Sequence, residues 1–374
     1  MLPHNISTQE IHAAISSFKP YKALGPNGFH PISFQKFWNT LGDSITSFIR
    51  SIFSTQNVPL DLNSTLLCLI LKTTKPKTVH QLRPISLCNT LYKTITKIPV
   101  SRLKPHLGEL IHPFQASSVP GRKASDNIII AQEIIHSMIN SKSKRGLMAI
   151  KIDLEKAFDR LEWSFIRHTL HRFNFPTAWI ELIMACITSS NFSILFNGER
   201  LSPFLPSKGI RQGNPLSPYI FMLCMEHVTW LILNEVSLRN WIGIKTTRNG
   251  LPFSHMFFAN DHILFAKASK RNCTTIKNVL DSFCKLLGQK STSQSPKFSS
   301  PLTPPPPLRK VWRMSSAYHL VLILGNTWEY LSSPMKQIRE PTISSLISFE
   351  TSWHLGNQKP FPSQAASLSL SRSH

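Results

Sequence analysis

Apolar residues recur along the first 290 positions with two different periods, and each change of period marks a new element. Residues 7–18 place Ile11, Ile15 and Phe18 at helical spacing. Ser7 stands at the N-cap position with Glu10 at the reciprocal capping position, which predicts a short helix. Residues 32–53 repeat the helical spacing and predict a longer amphipathic helix. The run LLCLILK (66–72) is continuously apolar and ends in a lysine, as expected of a buried strand. Residues 82–98 read as a strand passing into a helix, and 126–138 as a helix capped by Asp126. A strand over 148–154 leads into a helix over 155–171. Residues 192–204 form a predicted hairpin about Asn197-Gly198, a strong short-range turn signal. A long apolar helix over 218–233, a second hairpin over 255–267 and a helix over 274–287 follow. Strands and helices mix without a strict β-α-β rhythm, so the expected fold class is α+β.

The pattern changes near residue 290. The stretch STSQSPKFSSPLTPPPPLRK is rich in Ser and Pro and offers no element that can pack. The expected organisation is one domain over 1–289, with its core at about 60–285, and a poorly ordered tail over 290–374.

Charge narrows the partners. The 42 Lys and Arg against 19 Asp and Glu give a formal net charge of +23 and a pI near 10.1. Such a surplus favours a polyanion, and nucleic acid is the default. The 6 cysteines contain no C-x-x-C pair, so neither a zinc ribbon nor a disulfide framework is indicated. Cys224 and His227 share a predicted helix face, where a packing role is expected. The N-terminus lacks an apolar signal core, and no segment reaches about 18 consecutive apolar residues. An intracellular location, nucleus or cytoplasm, without a membrane segment is the expectation.

Two acids stand where apolar strands end. Asp153 closes Ala149-Ile150-Lys151-Ile152-Asp153, and Asp261 lies at the tip of the Phe257–Phe265 hairpin. Two strand-end carboxylates suit metal-assisted phosphoryl transfer. Position 260, beside Asp261, carries an amide, Asn260.

The segments KALGPNGF, LRPISLCNTLYK, FQASSVPGRKASDNI, AIKIDLEKAFDRLEW, SKGIRQGNPLSPYIF and FFANDHILFA run in the order seen in reverse transcriptases of LINE-type (non-LTR) retrotransposons, with the closest likeness to those abundant in plants. The resemblance covers roughly residues 10–290. It implies a right-hand polymerase with fingers and palm, acting as an RNA-directed DNA polymerase on an RNA template, a DNA primer and deoxynucleoside triphosphates. It implies that Asp153 and Asp261 are catalytic ligands of two Mg²⁺ ions, and that Leu154 adds a main-chain carbonyl. Hard oxygen donors suit Mg²⁺. Phe158, five residues after Asp153, resembles a steric gate against the ribose 2′-OH. Gln212 and Gly213 resemble the nucleotide-pocket pair. Arg83 is implied at the triphosphate, where a guanidinium fork binds phosphate oxygens, with Lys72 beside it. Gly121 and Arg122 are implied along a template phosphate. Gln115 and Asn127 match the same motif.

The chain also departs from the family. The family reads A-D-D where this sequence reads Ala259-Asn260-Asp261. Asn260 keeps an oxygen and loses the charge of a principal metal ligand, so impaired activity is expected. The family's K-Y-L-G and W-K-x-K-x-L-S-x-A-G-R thumb motifs do not follow Gln289. Moving the reading frame back one base lets the codons of Lys290 to Lys297 encode K-I-N-F-P-K-S-K. The codons of Gly325 to Leu331 then allow K-Y-L-G-V-P, and those of Gly356 to Ala366 allow W-K-S-K-T-L-S-L-A-G-R. The tail is therefore expected to be thumb-coding sequence read out of frame, with the thumb missing or unfolded. The chain is expected to be a piece of a longer polyprotein, without the family's endonuclease domain or Cys/His knuckle. The competing expectation is a non-catalytic remnant that at most binds RNA or an RNA–DNA duplex.

Overall fold

The computed structural model describes residues 5–141, 146–154, 157–247, 250–258 and 261–287, with 311–313, 320–324 and 336–337 in the tail. In chain order the strands are β1 (Ser64–Leu71), β2 (Leu82–Cys88), β3 (Leu147–Asp153), β4 (Asn191–Phe196), β5 (Glu199–Arg200), β6 (His255–Phe258), β7 (Asp261–Lys267), β8 (Val311–Arg313), β9 (Leu320–Leu324) and β10 (Lys336–Gln337). They build two sheets. One has the order β2-β1-β4-β5, with β1 and β4 parallel and its other pairs antiparallel. The other is antiparallel, in the order β10-β8-β9-β3-β7-β6. Helices intersperse with these strands along the chain, so the fold is mixed α and β, as the pattern of periods predicts.

Strands β3 and β7 are covered on both faces, which is why β3 reads as almost continuously apolar. Met148, Ile150, Ile152, Leu264 and Ala266 join the largest core, with helices Trp163–Arg172, Ser217–Ser237 and Lys270–Leu286. The intervening residues Ala149, Ile263 and Phe265 pack with Ala131, Ile134 and Met138 of helix Ala124–Ile139. Alternation of side chains along each strand produces this division.

Helix Ser217–Ser237, with mean hydropathy 1.2 in its most apolar window, is long and apolar enough to cross a membrane by length and composition. Within the fold 61% of that window is buried, and Glu226 and His227 lie mid-helix. It is the central helix of the core, and its near-uniform apolarity follows from being surrounded.

Local signals set several boundaries. Ser7 and Glu10 form the expected reciprocal cap. Asn197 and Gly198 both have positive φ, 51° and 87°, as a two-residue hairpin turn requires. Other expectations need correction. The helix over 32–53 is two helices, Pro31–Lys36 and Trp38–Thr55, interrupted at Phe37. The helix over 155–171 is likewise divided into Ala157–Arg160 and Trp163–Arg172. Asp126 lies in the first turn of its helix, whose N-cap is Lys123. An acid there still favours the positive end of the helix dipole. Of the tail, most lies outside the described residues, but Leu320–Leu324 pairs along β3 opposite Leu147–Lys151. A five-residue run of Leu, Val and Ile has the side chains a sheet strand favours.

Candidate active site at the strand ends

The ladder between β3 and β7 runs from Leu147 opposite Lys267 to Asp153 opposite Asp261. The hairpin partner β6 ends at Phe258, which pairs with Asp261. The register therefore brings the two strand-end acids side by side, although 108 residues separate them in sequence. Asn260 lies outside the described residues.

The main chain of this hairpin is held from behind by the segment containing Gln115. Phe257 N–H donates to Phe114 O at 2.8 Å, and Ala116 N–H to Phe257 O at 3.3 Å. Asn127 Nδ2 reaches the same Phe257 carbonyl at 3.3 Å. Arg122 fixes that segment in turn. Its guanidinium donates to the carbonyls of His112 (2.7 Å), Gln115 (2.6 Å), Ile111 (2.7 Å) and Gly108 (3.2 Å). Gly121 precedes it with φ of 80° and open space where a Cβ would stand. The Arg122 fork is thus engaged with the fold, whereas the Gly121 main chain faces free volume.

Buried titratable groups lie beside this support and on the central helix. His255 is fully buried, and burial, followed by the neighbouring His112 and His262, pushes its pKa down to about 3. His227, on the central helix, is pushed down to about 4 by burial and by Arg172 and His168. Burial raises Glu226 to about 7, against the hydrogen bond from the His112 backbone and the charge of Arg122. Unfolded histidines bind protons near pH 6.5, so the two histidines stabilise the fold above that pH and lose the effect as pH falls towards 4 and 3. The raised Glu226 acts oppositely: its contribution is full below about 4.5 and fades as pH rises through 7. With two groups against one, the thermal midpoint is expected to fall on acidification from pH 6.5, and faster below about 4.5. Glu226→Gln should steepen the slope between pH 4.5 and 6.5. Thermal unfolding across pH 4 to 8 checks both, and a midpoint that rises on acidification would contradict them.

The loop over 209–216 ties the four-stranded sheet to the helical segment that follows β3. Gly209 has φ of 86°, and a Cβ there would meet Asp159 O at 2.8 Å, so only glycine fits. Gly209 N–H donates to Leu161 O and Ile210 N–H to Phe158 O, while Trp163 Nε1 donates to Gly209 O. Phe158 is half-buried and stacks on Phe221, with ring centroids 4.7 Å apart. Further on, Gln212 O accepts from Ser86 N–H at 3.1 Å. Gly213 has φ of 97° and lies against Ser86 O. A cavity of about 280 Å³ opens at this junction, lined by Pro84, Ser86, Phe192, Lys208 and Gln212 among others. Arg83 is exposed on β2 next to Pro84, opposite Ile70. Lys72 is exposed just past β1, its N–H donating to Gln81 O.

Arg211, within this loop, and Tyr92, on helix Thr90–Leu103, are both buried, and neither stands out in the sequence. The single available signal was their presence inside the quoted motifs. Cys224 and His227 do pack as expected. Cys224 Sγ lies 3.8 Å from Thr169 Oγ1, and His227 contacts Phe165 and Trp230. Among the described residues no group of three or more His, Cys, Asp or Glu could hold a metal ion.

Comparison with known proteins accounts for this arrangement. The family model described as "Reverse transcriptase (RNA-dependent DNA polymerase)" matches residues 72–295. The chain is similar to the transposon TX1 uncharacterized 149 kDa protein of Xenopus laevis, 29% identical over 242 residues, covering 63% of this chain and 18% of the relative. It is 25% identical over 285 residues to the retrovirus-related Pol polyprotein from type-2 retrotransposable element R2DM of Drosophila melanogaster, covering 76% of this chain and 25% of the relative. A Pol polyprotein from type-1 retrotransposable element R2 of Popillia japonica is 24% identical over 281 residues, covering 74% and 37%. The chain thus spans well under half the length of these relatives. The family match encloses β3, β7 and the loop over 209–216, and the chain belongs to the reverse transcriptases, within them to those of LINE-type (non-LTR) retrotransposons.

Proposed function

We propose that the six-stranded sheet is the palm and the four-stranded sheet the fingers of an RNA-directed DNA polymerase. In this reading the chain adds deoxynucleotides to a primer 3′-OH on an RNA template and releases pyrophosphate. The observation that carries it is the register of Asp153 opposite Asp261. Directly opposed residues of an antiparallel pair have Cα atoms about 4.5–5.5 Å apart and share a face. Carboxylates supply the hard oxygen donors a divalent cation takes, and Asp153 and Asp261 are the residues that would hold Mg²⁺. When bound, Mg²⁺ neutralises phosphate charge and lowers the pKa of the attacking hydroxyl.

The chain's own residues do the rest. Arg83 and Lys72, exposed at the edge of the fingers sheet, bind triphosphate oxygens. Gln212 and Gly213, pressed on Ser86, form the wall beside the nucleotide. Phe158, stacked on Phe221, gives a rigid surface that excludes a 2′-OH. The Gly121 main chain runs along a template phosphate, held in place by Arg122.

A second reading has specific support: a remnant that binds nucleic acid without copying it. Asn260 takes a charge from the metal site, and the sequence after Gln289 does not encode the family's thumb motifs in frame. The two readings share the fold and differ in the metal site. Mn²⁺ binding, followed by electron paramagnetic resonance, tests the proposal without requiring turnover. Asp153→Asn and Asp261→Asn should each weaken Mn²⁺ binding at least tenfold. Binding unchanged in both variants would remove the acids from the metal site.

A further inference from the structure

We propose that Arg211 is the positioning residue that fixes the Gln212-Gly213 peptide against the fingers sheet. The inference rests on reading that peptide as part of the nucleotide pocket. Arg211 is 5% exposed, and its recorded partners are main-chain carbonyls, hydroxyls and an aromatic ring. Nη1 donates to Asn63 O at 3.3 Å and to Thr65 Oγ1 at 3.0 Å, both where β1 begins. Nη2 donates to Cys186 O at 2.6 Å, at the end of helix Thr177–Thr188, and to the Tyr92 hydroxyl. The guanidinium carbon also lies 4.2 Å from the centre of the Tyr92 ring.

Tyr92 completes the cradle. It is fully buried in helix Thr90–Leu103, donates to Cys186 O at 2.9 Å and accepts from Asn214 Nδ2 at 3.0 Å. One side chain thus ties the loop to β1, to helix Thr90–Leu103 and to helix Thr177–Thr188. The loop is anchored on both sides of Gln212-Gly213, by Arg211 before it and Asn214 after it. Between the anchors, Gln212 O takes the Ser86 N–H, and Gly213 lies so close that a Cβ would stand 3.2 Å from Ser86 O.

A buried cation is costly unless its donors are matched. Only a planar fork with five N–H groups can span acceptors on three separate segments. Lysine carries its donors on one atom and cannot reach them together. Pro84, Ser86, Arg211, Gln212 and Asn214 all line the 280 Å³ cavity, so a displaced anchor alters the cavity wall.

Amide hydrogen exchange of the whole chain tests the proposal. In Arg211→Lys, exchange over 209–216 and at Ser86 should rise at least tenfold, while the amides of Phe257 in the palm hairpin and of Ala116 in the segment behind it keep their rates. Equal acceleration at both places would mark a merely structural role and overturn the proposal, as would no acceleration at 209–216. If Arg211→Lys does not fold, Tyr92→Phe serves: it removes the hydroxyl alone and should loosen 209–216 several-fold with Phe257 unchanged. No local loosening there would overturn the proposal equally. A second arm adds the four deoxynucleoside triphosphates with Mg²⁺. Protection of 209–216 in the unmodified chain, needing at least tenfold more nucleotide in the variant, supports positioning, and equal requirement contradicts it. No protection in either chain counts against the nucleotide reading of Gln212 and leaves the exchange rates to decide on Arg211.

Discussion

Primer extension by the chain carrying Asn260→Asp is expected to exceed that of the unmodified chain by about a thousandfold or more. Two Mg²⁺ ions would bring four positive charges into the proposed site, and carboxylates would balance them. Asn260 offers an oxygen without the charge. Loss of several kcal/mol from the transition state follows, at about 1.4 kcal/mol per tenfold in rate. The rescue should nonetheless be partial. A duplex that is loosely held does not keep the primer 3′-OH in line with the α-phosphate, and positioning contributes as much as about 7–11 kcal/mol to such reactions. Full recovery should require Asn260→Asp together with a frame-restored segment after Gln289. Single-turnover extension of a DNA primer on an RNA template measures each step. Equal rates for the two chains would remove Asn260 as the cause of impairment.

Affinity for an RNA–DNA duplex is expected to fall about a thousandfold or more between 50 and 200 mM salt. The motive is the net charge of +23. Each phosphate neutralised by Lys or Arg releases condensed counterions, and six to ten such contacts lose about 10³ to 10⁵ in affinity over that range. Arg83 and Lys72 are exposed, and under the proposed function each is expected to contribute to the slope. Arg122 donates to four carbonyls of its own fold, so Arg122→Gln should disturb the hairpin more than the salt slope. Fluorescence anisotropy at graded salt reads the slope. Affinity independent of salt would make the excess charge incidental.

The features legible in the sequence are those encoded locally. The Ser7–Glu10 cap, the Asn197-Gly198 turn and the hairpin bearing Asp261 each arise within a few residues. Helix Thr177–Thr188 was not legible. Seven of its 12 residues are buried, Trp179 and Met184 among them, and an all-round apolar segment has no stripe to read. Long-range pairings were equally hidden. The parallel match of β1 with β4 and the placement of β9 along β3 depend on tertiary contacts that no local pattern records. At the candidate site, the acids stood out because a carboxylate at the end of an apolar strand breaks the pattern. Arg122 reads from sequence as a phosphate contact, and Arg211 stands out in no way, until the hydrogen bonds of each to its own fold are known.

RNA-templated DNA synthesis by the Asn260→Asp chain, with and without Asp153→Asn, tests the central claim most directly. Asp153 lies opposite Asp261 in the β3–β7 ladder, and the proposed chemistry needs both carboxylates. The account predicts Mg²⁺-dependent synthesis by the first chain and a loss on the order of a thousandfold or more in the second. Equal synthesis by the two chains, or none by the first under conditions where it binds template and primer, would contradict it.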